Sequence, residues 1–399
     1  MSNDIKPPVR PRVPLAPVLS GATLGAKYLP PVPPVPSVLD AGDVRMVTSG
    51  RIAIALALRE MGIGAGDAVL VPAYHSMSMI PPLLACGARP VFYKVGPDAA
   101  VDLADVASKL GPDVKVIMVT SYFGIAQPLA QIRAFCDSHG LRMLEDCAHC
   151  FFGEHAGQAV GSWGDYAIAS SMKFFPVYEG GALVSARHTL RTPPTVSAGK
   201  GFEIKSALNA LEAGFAYGRL TLLRALLWLP MRLKAALWRL VKQRRAPDAA
   251  QLTPSSSDSS FEFDPRWLDK RASWFSRQVI AQASHGRIVT LRRAHYQQLQ
   301  QALTGLPGCR PLFAALPDGA CPWMFPLLVD QPQPLFERLH ALGVPMTRFA
   351  ESLWPGVDAS VCSNSALFSR CVIAFPVHQE LRADELAWMT GAIRAALLA

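Results

Sequence analysis

Hydrophobic and polar positions form two alternating kinds of segment from Met46 onward. Apolar residues recur at helical spacing in SGRIAIALALREMGI, residues 49–63, and again in LAQIRAFCDSHG, residues 129–140. Short and almost continuous apolar runs, typical of buried strands, separate such segments: AVLVPAY, PVFYKV, VKVIMVTSYF and LRMLEDCA. Repeated strand and helix units with continuous apolar strands predict an α/β fold, with a mainly parallel sheet covered by helices.

A second, smaller α/β pattern follows the first. From Phe263 the chain has a long helical pattern, then the strand MFPLLV, the helix PLFERLHALG, the strand VIAFPVH and a final helix from Asp384. We therefore predict a large domain over residues 46–285 and a small C-terminal domain over residues 286–399. The proline-rich start of the chain, residues 1–45, predicts an extended arm.

A basic and apolar insertion interrupts the large domain at about residues 200–262. Between Glu212 and Asp248 there is no acidic residue, whereas eight residues are cationic: Arg219, Arg224, Arg232, Lys234, Arg239, Lys242, Arg244 and Arg245. The net charge of +9 is therefore concentrated in one segment, and we predict no nucleic-acid partner.

Two interpretations of this insertion are open. Residues 219–245 could lie in a membrane interface, with Trp228 and Trp238 at the headgroups and the cations facing anionic lipid. Alternatively, the insertion packs on the protein, and its arginine stems cover apolar surface. The second interpretation is favoured because the cations are not confined to one helical face. Pro230 and the frequent arginines also argue against a transmembrane span.

Composition narrows the class of protein. Half of the residues are hydrophobic and 17% are charged, as in globular proteins. The N-terminus has no apolar core behind its basic residues, so we expect a cytoplasmic protein, with membrane association through the insertion as the alternative.

The cysteines are scattered, and the pair Cys147 and Cys150 lacks the second pair that a zinc site needs. Free thiols and no bound metal are therefore predicted.

One lysine stands apart in SMKFFPVYEGG, residues 171–181, because apolar residues surround it. Burial of Lys173 would favour the neutral amine that a Schiff base requires. Asp146 ends a strand pattern, and a buried carboxylate needs a cationic or hydrogen-bonding partner. The sequence SGR, from Ser49 to Arg51, opens a helix whose N-terminal N–H groups suit a phosphate. Lysine, carboxylate and phosphate cradle together are what pyridoxal 5′-phosphate (PLP) requires.

The order of these motifs resembles the DegT/DnrJ/StrS family, the PLP-dependent sugar aminotransferases of fold type I. The resemblance lies in TSGRIAIALAL, GDAVLVPAYHSMS, GARPVFYKV, LEDCAHCFFG, GSWGDYAIASSMKFFPVYEGGALVS, LRRAHYQQL and VIAFPVHQEL. It implies a seven-stranded, mainly parallel sheet and a homodimer with shared active sites. It also implies transfer of an amino group from an amino acid, glutamate, to a keto group of a nucleotide-linked sugar or related polysaccharide precursor.

The same resemblance implies roles for individual residues. Lys173 would form the internal aldimine with PLP and shuttle protons, and Asp146 would pair with the pyridinium nitrogen. His149 would lie near the phenolic oxygen of the cofactor. The phosphate would be bound at the start of the first helix and by a hydroxyl before the lysine: Gly50, Arg51, and Ser170 or Ser171.

Two positions depart from the family pattern. Relatives place an aromatic residue over the cofactor ring where this sequence has Ser76, so we expect His75, rather than Tyr74, to stack on the ring. Asp269 stands where a neighbouring subunit often gives an asparagine to the phosphate, and a carboxylate would repel that phosphate. Two alternatives therefore stay open, a PLP-dependent sugar dehydratase and a catalytically silent scaffold or regulator. Some dehydratases that we compare replace this lysine with histidine, and Lys173 disfavours that type. Others add an iron–sulfur cluster, and the lack of a clear cysteine cluster disfavours that type.

Overall fold

A seven-stranded sheet forms the centre of the molecule. The computed structural model describes residues 10–23, 35–191, 195–227 and 262–399. The strands of its first half are β1 (Asp43–Val47), β2 (Ala68–Pro72), β3 (Arg89–Tyr93), β4 (Val114–Thr120), β5 (Arg142–Asp146), β6 (Glu154–His155), β7 (Gln158–Ala159), β8 (Tyr166–Ser170) and β9 (Gly181–Ser185). Seven of them form the sheet in the order β1-β9-β8-β5-β4-β2-β3, while β6 and β7 pair with each other.

Most of the strand pairs in this sheet are parallel. The strands β3, β2, β4, β5 and β8 run parallel to one another. The strand β9 is antiparallel to both β8 and β1. The predicted mainly parallel α/β sheet is therefore confirmed. Because β5 and β8 are parallel neighbours, the residues that follow them lie at one edge of the sheet.

Helices cover the sheet, as predicted. The helices of this part are α1 (Gly50–Glu60), α2 (Ile80–Ala85), α3 (Leu103–Ser108) and α4 (Leu129–His139). Every residue from Arg51 to Leu58 in α1 is buried, because the helix packs against β8 and β9 and apolar residues surround it. A glycine cap ends α4, since Gly140 adopts the left-handed conformation with a φ of 64°.

The first helix of the insertion and the buried Arg219 after it pack on the protein, whereas the short helix that follows has no buried residue. The described helices of the insertion are α5 (Lys200–Ala216) and α6 (Thr221–Leu226), and α7 (Trp274–Gln282) follows the insertion. Arg219 is buried between α5 and α6, and it donates hydrogen bonds to Glu385 at 2.7 Å and to the carbonyl of Glu380 at 2.9 Å. Residues 228–261, which hold most of the segment for which a membrane contact was considered, lie outside the described residues. Within the described ranges, no helix is long and apolar enough to cross a membrane.

A smaller three-stranded sheet lies in the C-terminal part. Its strands are β10 (Cys309–Pro311), β11 (Met324–Val329) and β12 (Val372–Pro376), all antiparallel. The helices here are α8 (His285–Leu303), α9 (Pro332–Leu342), α10 (Ser363–Cys371) and α11 (Ala383–Leu398). The predicted strands MFPLLV and VIAFPVH correspond to β11 and β12. The division into domains at residues 285 and 286 stays a prediction, and α8 begins at this point.

The first described stretch of the N-terminal arm, residues 10–23, has no helix or strand, whereas β1 begins within the arm at Asp43. This first stretch nevertheless packs on the C-terminal part of the chain. The carbonyl of Pro14 is 3.0 Å from Nε2 of His378, and the hydroxyl of Ser20 donates to the carboxylate of Glu380. Polar contacts therefore connect the arm to the residues that follow β12.

Candidate active site

Lys173 ends a short turn that follows β8. Residues Ser171–Lys173 form one turn of 3-10 helix, and the carbonyl of Ser171 accepts the N–H of Phe174 at 3.0 Å. Phe174 and Phe175 are completely buried and anchor the turn. Lys173 as a whole is only half-buried because it lines a cavity, but protein surrounds its amine. This burial lowers the pKa of Lys173 to about 8, against the opposing effect of Asp146.

Asp146 ends β5, the strand beside β8, and therefore lies at the same sheet edge as Lys173. Its Oδ1 accepts the backbone N–H of Ala148 at 2.9 Å, and its Oδ2 accepts the hydroxyl of Thr120 at 3.2 Å. Burial raises the pKa of Asp146, while the hydrogen bond from Ala148 and the charge of Lys173 oppose that rise. Asp146 can thus hold a cationic or protonated group in a site with little water.

The N-terminus of α1 forms another part of the same site. The side chain of Ser49 caps the helix by accepting the N–H of Ile52 at 3.3 Å. Gly50 and Arg51 follow it and line the cavity. The guanidinium of Arg51 donates to the carbonyl of Glu262 at 2.7 Å. The guanidinium of Arg51 is thus bound at Glu262. The first turn of α1 still offers backbone N–H groups and the positive end of the helix dipole, which suit a phosphate.

The glycine pair after the lysine lets β9 approach this helix end. A Cβ atom on Gly181 would lie only 2.4 Å from the carbonyl carbon of Ser49. Gly180 has a φ of 138° and packs against the side chain of Ser171. Ser170 lines the cavity, whereas the buried hydroxyl of Ser171 has no hydrogen-bond partner among the described residues. Of the two serines, only Ser170 lines the cavity together with the N-terminus of α1.

His149 contacts two aromatic rings that come from the C-terminal part of the chain. Its ring centroid is 3.9 Å from that of Trp323 and 4.6 Å from that of Phe349. Its Nδ1 atom is buried without a hydrogen-bond partner in the described parts of the chain. Burial and the charge of Lys173 hold the pKa of His149 well below its usual range. His149 is therefore neutral and has a ring nitrogen available for a ligand.

These groups surround one cavity of about 450 Å³. Six of the predicted site residues line it: Gly50, Arg51, Asp146, His149, Ser170 and Lys173. Two do not, namely His75 and Ser171. The volume is in the range of small-molecule sites in proteins.

His75 lies behind the cavity wall. Its ring stacks on Phe92 with centroids 4.9 Å apart, and its Nε2 accepts the N–H of Trp354 at 3.1 Å. Nδ1 therefore carries the proton and donates to the carbonyl of Ala73 at 3.0 Å. Burial lowers the pKa of His75 to about 4, so the ring stays neutral. In this arrangement His75 fixes the loop at Trp354, while Ser76 and Ser78 line the cavity.

Several residues that line the cavity were not among the predicted site residues, and four of them illustrate why. Trp323 and Phe349 come from segments far along the chain, and no local pattern marks them. Thr120 ends β4, so the rule that strand ends meet at one edge could have found it. Met79 also lines the cavity and belongs to a short 3-10 helix after β2.

The donor set fits PLP. A buried amine lies with a carboxylate, a helix N-terminus and the unpartnered Nδ1 of His149 in one cavity. A buried ring nitrogen without a partner costs about 1–3 kcal/mol, which a hydroxyl of a bound ligand would offset. In the described ranges, no group of three or more histidine, cysteine or acidic side chains could hold a metal.

Comparison with known proteins agrees with this geometry. The model of the DegT/DnrJ/EryC1/StrS aminotransferase family matches residues 38–250, which is more than half of the chain. The chain belongs to this family. The match includes the lysine turn, β5 and the N-terminus of α1.

Two relatives give the family a chemical context. The chain is 34% identical over 142 residues to GDP-perosamine synthase from Vibrio cholerae. The matched stretch is 35% of this chain and 39% of that enzyme. It is 37% identical over 143 residues to a putative L-glutamine:3-amino-2,3-dideoxy-scyllo-inosose aminotransferase from Streptomyces kanamyceticus, covering 35% of this chain and 34% of that protein. The matched stretch is thus less than two fifths of either relative.

The fold matches solved structures over a longer stretch. The crystal structure of 3-amino-5-hydroxybenzoic acid synthase is similar with a TM-score of 0.63 at 20% identity, over 90% of this chain and 88% of that one. At this identity the likeness shows a shared fold. The family fold therefore extends well beyond the region that the family model matches.

Proposed function

We propose that this family member is a PLP-dependent aminotransferase. It takes an amino group from an amino acid, glutamate, and transfers it to a keto group of a nucleotide-linked sugar or a related polysaccharide precursor. The observation that carries the proposal is the buried amine of Lys173 in one cavity with Asp146 and the N-terminus of α1. A silent scaffold would not need to keep a lysine buried at the energetic cost that its lowered pKa indicates.

Each wall of the cavity has a part in holding the cofactor. Lys173 would bind the aldehyde carbon covalently, and Asp146 would keep a proton on the ring nitrogen. Backbone N–H groups at Gly50 and Arg51, with the hydroxyl of Ser170, would hold the phosphate. PLP, when bound, supplies a ring that stabilises the negative charge left on a carbon that loses a proton.

The lowered pKa of Lys173 suits the proton transfers. With a pKa of about 8, a measurable share of the amine is neutral at physiological pH, and Nζ can accept a proton. The ring centroid of Trp323 lies 4.7 Å from this amine, so the ring covers one side of it and would keep water away there while the proton moves. The neutral His149 can share a hydrogen bond with a hydroxyl on the ring.

The names of the relatives support a sugar-type acceptor, while the donor that one of them prints is glutamine rather than glutamate. The name of the Vibrio cholerae relative gives a GDP-linked sugar as product, and the name of the Streptomyces relative gives L-glutamine. We propose glutamate as donor, with glutamine as the comparison. Lys173 stands where dehydratases of this type would have histidine, so the dehydratase is not preferred.

We also propose that the enzyme is a homodimer with shared active sites. Among the large apolar side chains that are at least half exposed, three lie on neighbouring segments: Val196, Ile204 and Trp274. They are close together because Glu203 accepts the hydroxyl of Ser197 at 2.6 Å and the N–H of Trp274 at 2.7 Å. Exposed apolar groups that cluster mark interaction surfaces. Sedimentation of the wild type and of Trp274→Glu would test this, since a dimer through this surface should dissociate in the variant.

Two measurements test the central proposal: covalent trapping of PLP, and the visible absorption spectrum with glutamate. For the trapping, wild type, Lys173→Ala and the exposed-lysine control Lys115→Ala are each mixed with PLP, reduced with borohydride and digested. We expect a PLP-modified peptide containing residue 173 in the wild type and the control, and none in Lys173→Ala. Addition of glutamate should convert the visible band to that of the aminated cofactor in the wild type and the control. Absence of a reducible link at Lys173 in the wild type would refute the proposal.

A further inference from the structure

Arg292 is the largest completely buried side chain among the described residues. It lies on α8, and its guanidinium donates hydrogen bonds to five neutral acceptors: the carbonyls of Lys173 (2.9 Å), Phe174 (3.4 Å), Pro322 (3.1 Å) and Trp323 (3.2 Å), and Oε1 of Gln379 (2.9 Å). Its guanidinium carbon also lies 4.5 Å from the ring centroid of Phe174. A single cation therefore connects the lysine turn with two other segments.

Burying this cation is unfavourable in itself. Burial lowers the pKa of Arg292 to about 10, and its acceptors are dipoles rather than a carboxylate. An apolar side chain of similar volume often stabilises a protein as well as a buried charge does. Stability alone therefore does not explain why an arginine is buried here. The five N–H donors of a planar guanidinium can hold several carbonyl groups in place at once.

The four carbonyls belong to two pairs of consecutive residues. One pair, Lys173 and Phe174, is the end of the lysine turn, and the other pair, Pro322 and Trp323, leads into β11. Held in this way, the amine of Lys173 lies 4.7 Å from the ring centroid of Trp323. Gln379 supports the arrangement, because its Nε2 donates to the carbonyl of Phe174 at 2.9 Å.

We infer that Arg292 is a positioning residue for Lys173, which fixes the backbone of the lysine turn against the segment of Trp323. This inference rests on the proposed function. A lysine that binds a cofactor and also carries protons has to change the place of its amine without moving its backbone. The guanidinium meets this need, since it holds the carbonyl of Lys173 itself while the side chain stays free to swing in the cavity.

The test compares Arg292→Lys with Arg293→Lys. Arg293 is the matched control, because it donates to the carbonyls of Pro317 and Ala320 and contacts no part of the lysine turn. Cofactor-free protein is acetylated with acetic anhydride at a series of pH values, and mass spectrometry follows the modification of Lys173. The titratable groups whose charge interacts with this amine, Asp146 and His149, are unchanged in both variants.

For the wild type and Arg293→Lys, we expect the half-point of acetylation near pH 8. In Arg292→Lys the loosened turn admits water to the amine, so the half-point should rise by about one pH unit toward the value of an exposed lysine. The rate at which PLP becomes trapped on Lys173 by borohydride should fall about tenfold at pH 7.5. A purely structural arginine would lower the melting temperature and leave the half-point unchanged.

Gln379→Leu gives a second test if Arg292→Lys fails to fold. This substitution removes the hydrogen bond from Gln379 to the carbonyl of Phe174 and one acceptor of Arg292, but it keeps the guanidinium. The half-point of acetylation and the rate of PLP trapping should change in the same directions, by about half as much. If the half-point and the trapping rate of each folded variant equal those of the wild type, the inference is wrong. A wild type that forms no reducible link with PLP would instead refute the proposed function, so the two failures are distinguishable.

Discussion

Lys173 and Asp146 face one cavity from two neighbouring strands, and each changes the proton affinity of the other. The negative charge of Asp146 favours the ammonium form of Lys173, and the positive charge of Lys173 favours the carboxylate of Asp146. Burial acts in the opposite direction on both groups and is the larger effect. The pair therefore keeps an amine that can lose its proton near neutral pH.

Asp146→Asn should lower the pKa of Lys173 further below about 8. The substitution removes the negative charge that favours the ammonium form, while burial continues to disfavour it, so the shift is downward. Acetylation of Lys173 in cofactor-free protein should reach its half-point at a lower pH than in the wild type. Transamination should nevertheless fall by at least about 100-fold, because the ring nitrogen would lose its anionic partner.

Asp318→Asn is the control for this substitution, because Asp318 is fully exposed at the surface. In this control variant, the pH at the half-point of Lys173 acetylation and the transamination activity should equal those of the wild type. A half-point that rises in Asp146→Asn would show that the carboxylate does not act on Lys173 through its charge. In that case the assignment of Asp146 as the partner of the cofactor would lose its electrostatic support.

Ser170→Ala and Ser171→Ala form a matched pair of neighbours. Ser170 lines the cavity and Ser171 does not, so only the first substitution should weaken PLP binding. We expect a loss of about tenfold in affinity, as for one hydrogen bond to a charged acceptor. Equilibrium dialysis of PLP against the three proteins measures it. A larger loss in Ser171→Ala than in Ser170→Ala would reverse the assignment of the phosphate hydroxyl.

Much of the fold could be predicted because it depends on local pattern. The apolar runs that became β2, β4 and β5 are buried on both faces, and such strands are recognisable without knowledge of their neighbours. The meeting of Lys173 and Asp146 followed from a general property, since residues after parallel strands collect at one edge of a sheet. Both residues line the cavity in the structure.

The rest of the cavity wall could not be predicted from local pattern. His75 was expected to stack on the cofactor ring, but its side chain is held by Phe92 and by the N–H of Trp354, which is 279 positions away. Trp323 and Phe349 also reach the cavity through contacts between distant parts of the chain. Which side chain covers a site depends on the packing of remote loops, and neither periodicity nor residue type records that packing.

Gly181→Ala should disturb the site without replacing any polar side chain in it. The new Cβ atom would lie 2.4 Å from the carbonyl carbon of Ser49 and 2.7 Å from the amide nitrogen of Gly50, so β9 and α1 must separate. Overpacking against backbone costs about 1–3 kcal/mol, and PLP affinity should fall with it because the N-terminus of α1 moves. Gly391→Ala is the control, since nothing lies within 4 Å of a Cβ there and alanine favours a helix. Thermal unfolding with and without PLP measures both effects, and a wild-type melting temperature in Gly181→Ala would contradict the close approach.

The lowered pKa of Lys173 also predicts how stability depends on pH. Between pH 8 and pH 10.5 the unfolded chain keeps a proton on this lysine and the folded chain does not, so the free energy of unfolding should rise with pH across that interval. Lys173→Met lacks this dependence. The difference in free energy of unfolding between cofactor-free wild type and Lys173→Met should therefore change by about 2 kcal/mol in favour of the wild type, after allowance for solvent in the cavity. Urea unfolding at each pH measures it, and Lys115→Met, which replaces an exposed lysine, should show no such change. A constant difference for Lys173→Met across the interval would mean that the amine of Lys173 keeps the proton affinity of an exposed lysine, and the proton transfers proposed for it would then lose their basis.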